Sequence, residues 1–372
     1  MKRLIHPSDL QIGRPLPCDA YDSKGTLLLR EGHVITSARQ IEKLTQLAQL
    51  SRMTDEPTDG TAESVVRVSP LSLVLGARQH LHALFITESP RDFPAKLARI
   101  TGMVRRACRL NADVALASIL MRRDGLYAIR HAVNVAIACQ VAGEAMKLPA
   151  TELTATVAAA LTMNIGMFEL QQQLQALDGP LTDAQHEAVR SHCERSVASL
   201  RGYGVSSELW LDIVQDHHER PDGSGYPSGK AGDGLGLLAQ LLSLADVYCA
   251  RVSSRDFRPA MLPNVALRRL FLSEGAAVSP ELAALFIKAL GVYPPGTGVR
   301  LRNGSIAVVT HRGATGHLPR VASITTHDGL RIAVPIRRRG DMSAHEVSEA
   351  VDLDILQLTV SMEALWGADA SS

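Results

Sequence analysis

A mainly α protein is what the sequence predicts, with a small α/β unit ahead of the helical core and a β unit behind it. Three observations carry that prediction. Between about Pro70 and Gly291, apolar residues recur at helical spacing. No strand–helix alternation of the kind that builds a parallel sheet interrupts them. Before and after this stretch the grammar changes to short apolar runs separated by turn residues. The 372 residues suggest two or three domains.

The first unit is expected over residues 1–51. Its apolar runs are split at Asp22-Ser23-Lys24-Gly25 and Glu31-Gly32, which reads as hairpin grammar. Ile41, Leu44, Leu47 and Leu50 then recur at helical spacing. Residues 52–69 are polar and aperiodic and read as a linker. The helical domain is expected over 70–292. "HAVNVAIACQVAGEAM" is apolar nearly all round, the pattern of a buried helix, and "LTATVAAALTMNIGMFEL" reads as another. Thr182 and Gln185 form a capping-box start behind Gly179-Pro180. "SSELWLDIVQDHH" is a helix stopped by Arg220-Pro221, and "LGLLAQLLSLADVYCARV" is a further one. Residues 293–372 read as a β appendage with turns at Asn303-Gly304 and Asp328-Gly329, a last β run "DLDILQLTV", and a tail after Trp366.

Composition narrows the function. A formal net charge of +1 supplies no field that would gather a nucleic-acid polymer or an anionic membrane, so any phosphate binding must be local. Aromatic residues at 4% are too scarce for base-stacking platforms. Cys18, Cys108, Cys139, Cys193 and Cys249 are odd in number and scattered, the usage of reduced thiols. "MKRLIHPSDLQIG" lacks an apolar leader core, and no run of about 18 uninterrupted apolar residues marks a membrane span. A cytoplasmic location is therefore expected.

The richest chemistry lies in "DHHERPDGSGYPSG", residues 216–229. Adjacent His217 and His218 end an apolar helix, and a Gly- and Pro-rich loop follows. Paired imidazoles beside a tight loop suggest metal ligation, and imidazole suits Fe, Mn, Zn or Ni. The bland reading is a pair of capping or surface histidines. Gly223 and Gly225 are no dinucleotide fingerprint, because Pro227 follows and no strand precedes them.

These residues, with others in the same order, resemble the HD-GYP family of metal-dependent cyclic di-GMP phosphodiesterases. The matching positions are His131 in "RHAVNVA", His192 in "VRSHCERS", then His217, His218 and Glu219 running into Gly225, Tyr226 and Pro227. Asp246 follows in "LADVYCARVSSRDFRPA", with Arg255 and Arg258 in its basic turn. The resemblance covers roughly residues 110–300 and implies an HD-type phosphohydrolase core with a two-metal site. The chain departs from the family at Met163 and Asn164, where a His-Asp pair is expected, and at Met167, where a Lys is expected. Cys249 stands for a second Asp, and Tyr127 for a Glu that some members carry.

Those departures have a physical cost. A two-metal centre clamps a phosphodiester and lowers the pKa of a bridging water, and its cations need shared anionic ligands. Asn164 offers no charge, Met163 offers a soft thioether, and Met167 cannot donate a proton. The resemblance leaves no intact catalytic set at Met163, Asn164 and Met167. It leaves His192, His217 and His218 as the metal set to consider first, with His131 and Asp246 behind them. Two readings stay open for the cofactor: one divalent transition metal (Fe, Mn or Zn) on the three histidines, or none, with the histidines held by hydrogen bonds. Gly225, Tyr226, Pro227, Arg255 and Arg258 are the expected surface for cyclic di-GMP or for a signalling protein such as a diguanylate cyclase. Function divides three ways: a catalytically silent binder, a phosphodiesterase with residual activity, or a scaffold that binds no nucleotide. Oligomeric state is not legible.

Overall fold

The computed structural model describes residues 3–4, 20–22, 27–29, 33, 35, 48–52, 68–87, 91–175, 177, 179–254, 259–273, 279–313, 318–338 and 343–371. The chain divides into two compact units, Met1–Val66 and Arg67–Ser372.

In the first unit, strands β1 (Arg3–Leu4), β2 (Ala20–Asp22), β3 (Leu27–Leu29) and β4 (Ala48–Arg52) form an antiparallel sheet in the order β1-β4-β2-β3. The β2–β3 hairpin spans the turn sequence at Asp22–Gly25, with Ala20 opposite Leu29. The helical spacing that ends at Leu50 gives way to strand from Ala48, because β4 pairs with β1 on one edge and β2 on the other. Cross-strand pairing overrides a weak local periodicity there. Residues 36–47 and most of the expected linker lie outside the described residues.

The second unit is a helical core carrying a β-sheet. Its helices are α1 (Pro70–Phe85), α2 (Phe93–Met121), α3 (Tyr127–Ala145), α4 (Ala150–Thr162), α5 (Phe168–Gln175), α6 (Asp183–Arg190), α7 (His192–Gly202), α8 (Glu208–Asp216), α9 (Leu237–Val252), α10 (Pro263–Ser273), α11 (Pro280–Leu290) and α12 (Met362–Trp366). Helix α3 is buried from Tyr127 to Gly143 on every face, as a helix with no polar stripe must be. Helix α6 starts on the expected capping box, with the Thr182 and Gln185 side chains each accepting the other's backbone N–H.

The run read as one helix over "LTATVAAALTMNIGMFEL" breaks after Thr162. A 3-10 turn at Ile165–Met167 joins α4 to α5. Ser196 on α7 causes the break. Its hydroxyl donates to the Met163 carbonyl at 2.8 Å and accepts the Gly166 N–H at 2.9 Å. A side chain at Gly166 would meet Ser196 N at 2.5 Å and His192 O at 2.8 Å, so only glycine lets the two backbones approach. Ala150–Gln175 contains an 18-residue window apolar enough by length and composition to cross a membrane, and half of that window is buried inside this unit.

Strands β5 (Gly298–Leu301), β6 (Ile306–His311), β7 (Arg320–Thr325), β8 (Arg331–Arg338) and β9 (Val347–Ala350) form an antiparallel sheet in the order β8-β7-β6-β5-β9. Gly304 and Gly329 sit at φ +88° and +86° in the expected turns. Ile306, Val308 and Ile324 share a core with Leu71 of α1 and Val114 of α2, so the sheet is built onto the helices. "DLDILQLTV" is a turn and not a strand. The Asp352 carboxylate accepts the Asp354 N–H at 2.9 Å, and Leu358 N–H closes onto the Leu353 carbonyl at 2.8 Å. The expected tail after Trp366 is a 3-10 turn at Gly367–Ala370 with Ala370 buried, and Ser69 donates to the Ser371 carbonyl.

Candidate metal centre

His192 opens α7 one residue after α6 ends, and His217 and His218 close α8. The His192 Nδ1–H donates to the Val189 carbonyl, in the last turn of α6, at 2.5 Å. The His217 Nδ1–H donates to the Val214 carbonyl at 2.7 Å in the same way. A carbonyl can only accept, so each ring is fixed as the Nδ1–H tautomer and turns a bare Nε2 inward. The two Nε2 atoms lie 3.2 Å apart. Facing lone pairs at that distance repel unless a cation or a proton lies between them. His218 completes the group, with one ligand atom from each of the three rings within 4.8 Å of the others. Carbonyl-oriented imidazoles of this kind are the usual support of a metal site, and three neutral nitrogens fit one metal ion.

Burial keeps the set neutral. It pushes His192 down to about 4, with the neighbouring His217 charge acting in the same direction. His218 is held well below the ordinary imidazole value, first by burial and then by His217. Burial also lowers His217, against the opposing pull of Asp246. Neutral imidazole is the form that ligates a metal.

His131 and Asp246 come together as a second pair, with His131 Nε2 at 2.6 Å from Asp246 Oδ1. Burial opposes ionisation of Asp246, but the His131 hydrogen bond and the charges of His131 and His218 outweigh it and hold the carboxyl below its usual range. Tyr127 stacks on His131 at 5.4 Å. Met163 is fully buried within the main helical core and is packing, not a ligand. Asn164 has a buried Oδ1 with no hydrogen-bond partner. Met167 lines a cavity of about 390 Å³ with Phe85, Phe168 and Arg195. Cys249 is also buried in the core, where desolvation holds its thiol protonated.

Adjacent helical residues diverge by about 100°, which predicts that Cys193 turns away from His192. Instead the Cys193 sulfur lies 3.7 Å from His192 Nε2 and 3.8 Å from His217 Nδ1. At the first residues of α7 the His192 ring is drawn back to Val189, which brings its Nε2 toward the sulfur. Burial raises the Cys193 thiol, so the contact makes no nucleophile.

The loop after His218 folds back over the histidines. Tyr226 stacks on His218 at 4.8 Å, and the Arg190 guanidinium lies over the Tyr226 ring at 5.5 Å from its centroid. A Cβ at Gly225 would meet Arg220 N and Glu219 Cα at 2.5 Å, so the tripeptide needs glycine first. The sequence suggests loop N–H groups available for phosphate. Much of that supply is used internally: Gly223 bonds to Arg220 O, Ser224 to Asp222, Tyr226 to His218 O and Ser228 to Glu219. Arg255 and Arg258 lie outside the described residues.

Sequence reasoning missed what holds this loop. Glu219, almost fully buried, accepts Ser228 N–H at 2.6 Å and Lys230 N–H at 3.0 Å. Lys230 Nζ then reaches Asp216 at 2.6 Å. A Glu paired to backbone nine and eleven residues on leaves no periodic signal.

An HD-domain family model matches residues 98–282. A cyclic di-GMP phosphodiesterase of Pseudomonas aeruginosa is 31% identical over 210 residues, which cover 56% of this chain and 50% of that protein. A 3'3'-cGAMP-specific phosphodiesterase of Vibrio cholerae is 28% identical over 169 residues, 45% of this chain and 36% of that one. The match thus spans half or less of these relatives' length. A solved HDG"Y"P protein from Bdellovibrio bacteriovorus shares the fold at a TM-score of 0.51 and 15% identity, covering 77% of this chain and 98% of that one. The fold is that of an HD-domain protein. Residues 98–282 carry an HD domain, and the chain is similar to cyclic di-GMP phosphodiesterases of the HD-GYP type.

Proposed function

We propose that this chain is a degenerate HD-GYP protein of cyclic di-GMP signalling, one that binds the nucleotide or a signalling partner and hydrolyses little or none. The observation that carries the reading is Met163. It occupies the position of the family's metal-ligand His, yet it is sealed in the hydrophobic core, beside an Asn that brings no charge. The three-histidine set supports one metal ion at most, and one ion cannot clamp both oxygens of an in-line displacement as two do. Relatives named as cyclic di-GMP phosphodiesterases support cyclic di-GMP as the ligand to test first. The loop 222–229, stacked on His218 through Tyr226, is the surface assigned to it.

Metal content of the purified protein, measured together with cyclic di-GMP binding, tests this. At most one transition-metal ion per chain is expected, and His217→Ala should release it. Tyr226→Ala combined with Arg255→Ala and Arg258→Ala should abolish nucleotide binding with little change in Tm. Two or more ions per chain, or undiminished binding by the triple variant, overturns the reading.

A further inference from the structure

A second polar site lies away from the histidines, where α1 meets the turn between α2 and α3. A cavity of about 270 Å³ there is lined by Arg78, His82, Arg122, Asp124 and Arg130, and none of the metal-centre residues borders it. Three guanidiniums face one carboxylate. That carboxylate is taken: Asp124 Oδ1 accepts from Arg122 Nε at 2.9 Å. Among the described residues, neither Arg78 nor Arg130 has a carboxylate within ion-pair distance, although both are less than one-tenth exposed.

Buried charges are ordinarily paired, because an unpaired one carries its full desolvation cost. Arg78 is partly supported. Its NH1 donates to the Arg122 carbonyl at 3.2 Å and its NH2 to Asn134 Oδ1 at 3.0 Å. The Arg122 carbonyl follows the C-terminal end of α2 and the Asn134 amide lies on α3, and neither supplies a countercharge. The Arg78 Nε is buried with no partner at all. Burial lowers Arg78 to about 10 even against the pull of Asp124. Arg130 bonds to the Arg123 and Gly125 carbonyls and lies 5.7 Å over the Tyr127 ring, again without an anion. The side chains of this cavity therefore leave two positive charges uncompensated. Guanidinium forks match the oxygens of carboxylate and phosphate groups, and a phosphate brings the two negative charges that this surplus calls for.

We infer that the Arg78–Arg122–Arg130 cavity binds a dianionic phosphate group, as the free ion or as the terminal phosphate of a nucleotide. The ligand would supply the countercharge that the protein does not.

Thermal unfolding of the full chain against inorganic phosphate, at ionic strength held constant with KCl, tests the assignment. Phosphate should raise Tm beyond the KCl control. Arg122→Gln is the chosen variant because Arg122 is part-exposed and its loss spares the fold; it should need at least tenfold more phosphate for the same shift. Asp124→Asn removes the competing carboxylate and should need severalfold less. His217→Ala should respond as the parent does, which separates this cavity from the metal centre. GMP titrated in parallel assigns the source: tighter binding than phosphate marks a nucleotide, equal binding the free anion. No phosphate-specific shift, an unchanged response in Arg122→Gln, or a response lost in His217→Ala would each overturn the inference.

Discussion

His192 and Met163 sit on elements joined by the same Ser196 hydroxyl, yet their surroundings follow opposite logic. On the α7–α8 side, two imidazoles are each oriented by a backbone carbonyl and turn bare nitrogens inward. On the α4 side, Met163 is packed in the hydrophobic core, and the break at Ile165–Met167 is closed by hydrogen bonds that involve no ionisable group. His192 and His217 each donate to a backbone carbonyl, Val189 or Val214, a bond that an apolar replacement would forgo. Met163, at the end of α4, has no such side-chain tie, and a thioether of suitable volume fills the position with favourable burial of about 1.5–3 kcal/mol. The α4 half of a metal centre can thus become core while the α7–α8 half keeps its architecture.

The largest consequence of that contrast is in turnover. With Met163, Asn164 and Met167 where the family has His, Asp and Lys, hydrolysis of cyclic di-GMP should run at least about a thousandfold below an intact relative, since bridging charge and proton donation are each commonly worth about 10² or more. Product analysis for pGpG or GMP checks it. Formation at an ordinary enzyme rate, on the order of 1 per second, would mean the α4 side still works.

A smaller effect tests the histidine side. His192 is held neutral in the fold, lowered to about 4, whereas in the unfolded chain it titrates near its ordinary value. Between those values the unfolded state binds more protons, so stability is full above about pH 6.5 and falls as pH drops toward 4. His217 and His218, lowered by the same burial, act in the same sense. Chelator-treated protein should lose about 2 kcal/mol between pH 7 and pH 5 from His192 alone, read from denaturant midpoints. Flat stability over that range would place a tightly held cation or proton between the two Nε2 atoms.

These contrasts were unevenly legible in the sequence. Adjacent His217 and His218 ahead of a Gly- and Pro-rich loop carry a local signal, because helix end and loop are contiguous in the chain. His192 joins them only through the resemblance, since α6, α7 and α8 must fold before it arrives. The break after Thr162 was hidden because the apolar period runs through it, and its cause, Ser196, lies thirty residues on. The arginine cavity was hidden for the same reason. Arg78, Arg122 and Arg130 read singly as solvated charges, and only the packing of α1 against the α2–α3 turn removes Arg78 and Arg130 from water.

Glu219 provides the finest test of how the histidine side is held. Both its oxygens accept backbone N–H groups from the returning loop, at Ser228 and Lys230, and the side chain is almost wholly buried. Glu219→Gln keeps shape and volume but turns an NH2 toward one of those donors. A buried donor then faces a donor, which costs about 1–2 kcal/mol. The expected result is a Tm lowered by a few degrees. Metal content should stay at the parent level, because His192 and His217 are oriented by Val189 and Val214 and not by this loop. If Glu219→Gln instead releases the ion while Tm holds, the loop would be what orders the histidines, through the Tyr226 stack on His218, and the carbonyl-oriented pair would be secondary.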